Sequence, residues 1–252
     1  MGLDIYAGTL TRYYARNWKT SVQQWGERNG FQVNMVRPDS QNVELAPAEE
    51  ILAGVTQWRD QLLEALSASL TEKPYWSEDN DVTPYYTDKP DWDAWGALLL
   101  YTVYRASGKP VPETIARRQD VFEDPVYKRF MKKKDTHISL FECDWWLPIR
   151  DSFMFNGFLP TGDQQTFATV GMLKSELEAI NALAWKADEQ TILNWSIEEG
   201  YPADAVYQGR KVQMLEKHQR YDTVSLAKFA FSILWQAVRH SEEHGTLIIC
   251  DF

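Results

Sequence analysis

Glu142 and Asp144 are the acids whose spacing most readily suggests chemistry. They lie in Ser139-Leu140-Phe141-Glu142-Cys143-Asp144-Trp145-Trp146-Leu147, where one parity carries Phe141, Cys143, Trp145 and Leu147. The other parity carries Leu140, Glu142, Asp144 and Trp146. Read as a half-buried strand, the segment sets both carboxylates on one face, with alpha carbons about 6.6 Å apart. Carboxylates that close together separate their pKa values, so one can donate a proton while the other stays charged. With Trp145 or Trp146 as a stacking surface, the pair would suit a hydrolase acting on a sugar-containing or other polar small substrate. Glycosidase carboxylates usually stand on different elements and flank the bond, so a polar strand face or binding rim is the competing reading. Cys143 reads as a packed thiol, because nearby negative charge raises a thiol pKa.

A second constellation is His240-Ser241-Glu242-Glu243-His244. Residues four apart share a helix face, so His240 and His244 could hold a metal ion while Glu243 polarises its water. These five residues resemble the His-x-x-Glu-His motif of the inverted zincin metallopeptidases, which implies His240 and His244 as zinc ligands and Glu243 as base. The downstream helical acid of that family is missing, and histidines near a helix C-terminus also complement the helix dipole. His137 and His218 have no comparable spacing. The sequence contains neither a Gly-x-x-x-x-Gly-Lys-Ser/Thr loop nor a Gly-x-Gly-x-x-Gly fingerprint. Asp79-Asn80-Asp81 opens like a calcium loop, but the remaining ligands of an EF-hand do not follow. No cofactor is expected.

The third constellation is aromatic and acidic. From Thr71 to Pro90 the chain mixes Tyr75, Trp76, Tyr85 and Tyr86 with Glu72, Glu78, Asp79, Asp81 and Asp88, and Trp92 follows. Turn residues among large rings predict a long surface loop over 71–90, packed down by its own side chains. Trp76, Tyr85, Tyr86 and Trp92 would supply hydrophobic anchors, and Asp79, Asp81 and Asp88 would select a basic rim. Charge points the same way: 36 acidic against 26 basic residues give a formal charge of -10, which disfavours nonspecific binding to nucleic acid. Lys132, Lys133 and Lys134 form the best candidate for a basic patch. The expectation is a noncatalytic protein-binding or regulatory protein whose partner offers a basic face. A toxin-neutralising immunity protein, covering a basic nuclease site, is one concrete form of it.

Periodicity predicts the elements that must position these groups. Leu3 to Tyr14 reads as an opening strand, Trp18 to Arg28 as a short helix, and Phe31 to Val36 as a strand. Apolar residues at helical spacing mark Pro47 to Leu70, the segment after Asp91, and Met172 to Ala184. Asp91 and Asp188 are candidate helix caps, the latter for a helix ended by Gly200. Pro112 to Arg118, Pro125 to Lys133 and Lys211 to Arg220 read as further helices. Short strands are expected over Ser152 to Phe158 and around Phe167 to Val170. Ala227, Phe231, Leu234 and Val238 define a central C-terminal helix, followed by the strand Thr246 to Cys250.

These assignments predict an α+β fold, with a mixed or antiparallel sheet packed by several helices. One globular domain over 1–252 is the expected organisation, since 252 residues of 44% hydrophobic and 25% charged composition can bury a sizeable core. Two cysteines do not make a disulfide scaffold. Met1 to Ile5 begins no secretory signal and no stretch is long enough to span a membrane, so a cytoplasmic location is expected. A homodimer is compatible with the sequence, which has no sustained heptad.

Overall fold

The computed structural model describes residues 2–31, 33, 46–133, 137–208 and 211–252. The strand expected over Phe31 to Val36 falls mostly outside these residues, as does Lys134. The first half of the described chain contains β1 (Asp4–Gly8), α1 (Leu10–Tyr14), α2 (Ser21–Arg28), α3 (Ala48–Leu66), β2 (Tyr86–Asp88), α4 (Asp91–Ala106), β3 (Thr114–Ala116) and α5 (Pro125–Met131). Then come α6 (Ser139–Glu142), β4 (Trp145–Leu147), β5 (Met154–Phe158), β6 (Gln164–Thr169), α7 (Val170–Ala184) and α8 (Glu189–Glu198). The chain closes with β7 (Ala205–Gln208), β8 (Lys211–Met214), β9 (Arg220–Asp222), α9 (Thr223–His244) and β10 (Leu247–Asp251).

Six strands form a mixed sheet in the order β2-β1-β10-β4-β6-β5, in which only β4 and β6 run parallel. Side chains alternate across it as the pleat requires. Ile5, Ala7, Trp146, Ala168, Ile248 and Cys250 point to one side, into a core shared with α4, α5, α7, α8 and α9. Tyr6, Trp145, Leu147, Phe167, Leu247 and Ile249 point to the other, where Leu10, Val55 and Trp76 meet them. Both faces are therefore covered, which explains why the central strands are almost wholly apolar.

The C-terminal helix α9 has the central place expected of it. Asp222 caps its start by accepting from Ser225 N, and Gly245 closes it in the left-handed conformation at φ 62°. Similar local chemistry starts α2, where Thr20 and Gln23 form a reciprocal capping box, and α8, capped by Asp188.

Several expectations are corrected. The opening strand stops at Gly8, and Leu10–Tyr14 is helical because Thr9 caps Arg12 N while Glu78 accepts the amides of Leu10 and Thr11. Ser139–Glu142 is likewise a helical turn, its first amides taken by Glu176, so the strand there begins only at Trp145. Asp91 does not cap α4: it is the first helical residue, at φ 55°, with no side-chain cap before it. Pro112 to Arg118 contains β3 and Lys211 to Arg220 contains β8 and the start of β9, because these segments find strand partners: β3 pairs β9, and β7 pairs β8. Within the 71–90 loop, Tyr86–Asp88 joins the sheet edge as β2. No helix among the described residues is long and apolar enough to cross a membrane.

Candidate binding groove

The 76–83 segment is held rigidly by the first helical turn of the chain. Glu78 is only 6% exposed, yet its carboxylate accepts four hydrogen bonds: Leu10 N at 3.2 Å, Thr11 N and Thr11 Oγ1 at 2.8 Å, and Trp76 Nε1 at 2.8 Å. A carboxylate is well placed there, because the leading amides of a helix have no intrahelical acceptors and carry positive partial charge. Arg12, also buried, donates back to the carbonyls of Thr83 and Asn80 and lies 5.1 Å from the centre of the Tyr85 ring. Asp79 closes a local turn by accepting from Asp81 N at 2.9 Å.

With its backbone fixed in this way, the loop turns Asp79 and Asp81 to solvent beside α3. Between them runs a groove of about 710 Å³. Glu49, Leu52, Thr56 and Arg59 of α3 line one side, and Tyr75, Trp76, Asp79 and Asp81 line the other. Arg59 is already engaged, pairing with Asp60 at 2.8 Å and donating to Trp76 O at 3.3 Å. Glu49, Asp79 and Asp81 are thus left to set the sign of the rim. Apolar surface adjoins them: Tyr75 is 68% exposed, Val82 75% and Leu52 42%.

The groove unites only three of the seven residues in the aromatic and acidic constellation, namely Trp76, Asp79 and Asp81. Trp76 is buried and packs edge-on against Trp58 at 5.8 Å, so it forms floor rather than a projecting anchor. Tyr85 packs near Tyr6 and accepts from Lys19 N, whereas Tyr86 donates to Ile233 O on the other side of the strand. Asp88 is half-buried on β2, and burial raises its pKa. Trp92 stands apart, 42% exposed, with its ring 5.3 Å from that of Phe252. Sequence reasoning did not place Glu49, Leu52 or Arg59 at this surface. Glu49 was legible as a first-turn acid, and Leu52 as apolar, but nothing local announced which loop would face them.

Glu142 and Asp144 do not share a strand face. Glu142 ends α6, Cys143 is extended, and Asp144 precedes β4. The Glu142 carboxylate lies 3.5 Å from His137 Nδ1, while the Asp144 carboxyl is raised by burial and stabilised in its charged form by Gln165. Between them, burial and then the charges of Glu142, Glu176 and Asp144 push the Cys143 thiol up to about 12, which suppresses thiolate chemistry.

His240 and His244 do share a helix face, with ring centroids 4.6 Å apart. His240 Nε2 lies 3.3 Å from Pro84 O, and since a carbonyl only accepts, that nitrogen carries the proton. Burial, followed by repulsion from His244, pushes the His240 pKa down to about 4. Glu243 is 3.8 Å from His244 Nε2. Among the described residues, no group of three or more His, Cys, Asp or Glu side chains is arranged to hold a metal ion. No protein-family model, curated protein or solved structure matches the chain.

Proposed function

We propose that this chain is a noncatalytic protein-binding protein, and that the groove between α3 and the 75–81 segment takes a basic, partly apolar segment of its partner. The observation that carries this reading is the outward placement of Asp79 and Asp81 opposite Glu49, on a loop whose backbone is immobilised from beneath by Glu78 and Arg12. A rigid acidic rim loses little conformational freedom on binding, and its charge steers a partner of opposite sign. Leu52 and Tyr75 offer apolar surface to the same segment. An inhibitor that covers a basic active-site surface is one physiological form such a protein would take.

The test is selection from a displayed peptide library, followed by titration of the enriched peptides against wild type and an Asp79→Lys, Asp81→Lys double variant. Enrichment of Lys- and Arg-containing sequences is expected. Affinity should fall about tenfold or more on charge reversal and also weaken with added salt. Both aspartates are exposed, and Asp79→Lys gives up the turn bond from Asp81 N, so the thermal midpoint should fall only by what one exposed hydrogen bond contributes. Asp81→Lys alone keeps that bond and should still weaken peptide binding. Enrichment of acidic peptides, or equal affinity for both proteins, would remove the groove from consideration.

A further inference from the structure

We propose that a second cleft, at the start of α4, binds a compact zwitterion of the free α-amino acid type. The cleft has a volume of about 580 Å³, within the size range usual for small-ligand sites. Its charged lining comes from separate elements. Arg117 and Arg118 belong to the turn after β3, Lys217 to the segment before β9, Asp91 and Asp93 to the first turn of α4, and Asp204 to the segment before β7. Trp92, Tyr201 and Tyr221 add aromatic surface. Tyr201 is fixed by donating to Pro90 O at 3.0 Å and accepting from Ala94 N at 2.9 Å, and its ring meets Tyr221 edge-on at 5.2 Å.

Two features distinguish this lining from an ordinary solvated surface. None of the described carboxylates lies within ion-pair distance of Arg117, Arg118 or Lys217, although Asp91 is paired with Lys89 at 3.3 Å and the charges of Arg117 and Arg118 act on Asp93 from further away. The backbone that presents these charges is also strained. Asp91 and Arg118 adopt φ 55° and 57°, the left-handed region that favours glycine. Arg16 and Lys186 share that conformation, but they follow the ends of α1 and α7, where left-handed closure is common. Arg118 instead occupies the third position of the turn closed by Gln119 N to Ala116 O, where a positive φ calls for Gly or Asn. Strain of this kind persists where the surrounding structure holds it, and it clusters at ligand sites.

The lining selects the ligand class. A simple anion would be repelled by Asp93 and Asp204, and a simple cation by the two arginines and Lys217. A molecule carrying both signs satisfies each set, its carboxylate on the guanidinium groups and its ammonium on Asp93. Asp93 is held in place by Arg118 N at 2.6 Å.

The experiment is calorimetric titration of the protein with each free proteinogenic amino acid at millimolar concentration. The tightest ligand is then compared with its N-acetyl and methyl-ester derivatives. Each derivative should bind about tenfold more weakly or worse, since each loses one charge-assisted contact. Arg118→Gly should lose affinity by a similar factor while raising the melting temperature, because it removes a binding group and relieves the backbone together. Asp93→Asn keeps an acceptor for Arg118 N and should weaken the amino acid more than its N-acetyl form. Binding by no amino acid, equal binding of the N-acetyl form, or full affinity in Arg118→Gly would each overturn the proposal.

Discussion

Glu78 does for α1 what no neighbouring residue does: it accepts from two leading amides and a hydroxyl of that helix, and from Trp76 besides. Glu78→Ala should therefore destabilise the protein by about 3–5 kcal/mol, since buried donors lose their acceptor together. Urea denaturation of the variant measures this loss, and a change below about 1 kcal/mol would mean that water replaces the carboxylate freely. His240 governs a different response. Its folded pKa of about 4 lies below the ordinary value of 6.5, so between those values the unfolded chain binds more protons. Stability from this group is fully present above pH 6.5 and falls as the pH drops towards 4, by up to about 3 kcal/mol. Pro84 O and the charges of Glu243, His244 and Arg12 act on the same imidazole, with burial the largest effect. Denaturation across that pH range should show a smaller slope in His240→Gln than in wild type. In the sequence Glu78 was one acid among several, and His240 was half of a metal motif. Neither the helix that Glu78 caps nor the burial that holds His240 neutral is written in their immediate neighbours.

At the scale of elements, the same physics separates what could be read from what could not. Long periodic segments such as α3, α7 and α9 were legible because each apolar stripe is a local pattern. The two short helices α1 and α6 were read as strand because their residues alternate, and both owe their helical form to a distant carboxylate. Glu78 supplies it to Leu10 and Thr11, and Glu176 supplies it to Ser139 and Leu140. Segments 112–118 and 211–220 fail for a related reason, since strand pairing overrides their weak helical periodicity. Helix α3 lays its apolar stripe of Ile51, Trp58, Leu62 and Leu66 against the core as half-buried side chains, with only Val55 deeply buried, whereas α4 buries an unbroken run from Ala94 to Val103. Hydrogen exchange should accordingly find α3 amides opening at a lower free energy than those of α4 and α9. Equal protection of all three helices would show that α3 opens only with the whole protein.

On the scale of the whole molecule, the α+β class and the final helix-strand unit were legible, whereas the strand order was not. Pairings such as Ile5 with Cys250 and Ile248 with Trp146 leave no trace in local composition. The candidate groove was only partly legible for the same reason: Asp79 and Asp81 stood out as acids, but their juxtaposition with α3 is a tertiary fact. The order β2-β1-β10-β4-β6-β5 sets β10 between two blocks of strands that are not otherwise paired with each other. A ribosome makes residues 247–251 after all the other strands, so the two halves of the sheet must wait, each with an apolar edge open, until the last of these strands emerges. Translation itself thus imposes an interval in which Ile5, Tyr6, Trp145 and Trp146 face a missing neighbour, the kind of transiently open strand edge from which aggregation starts.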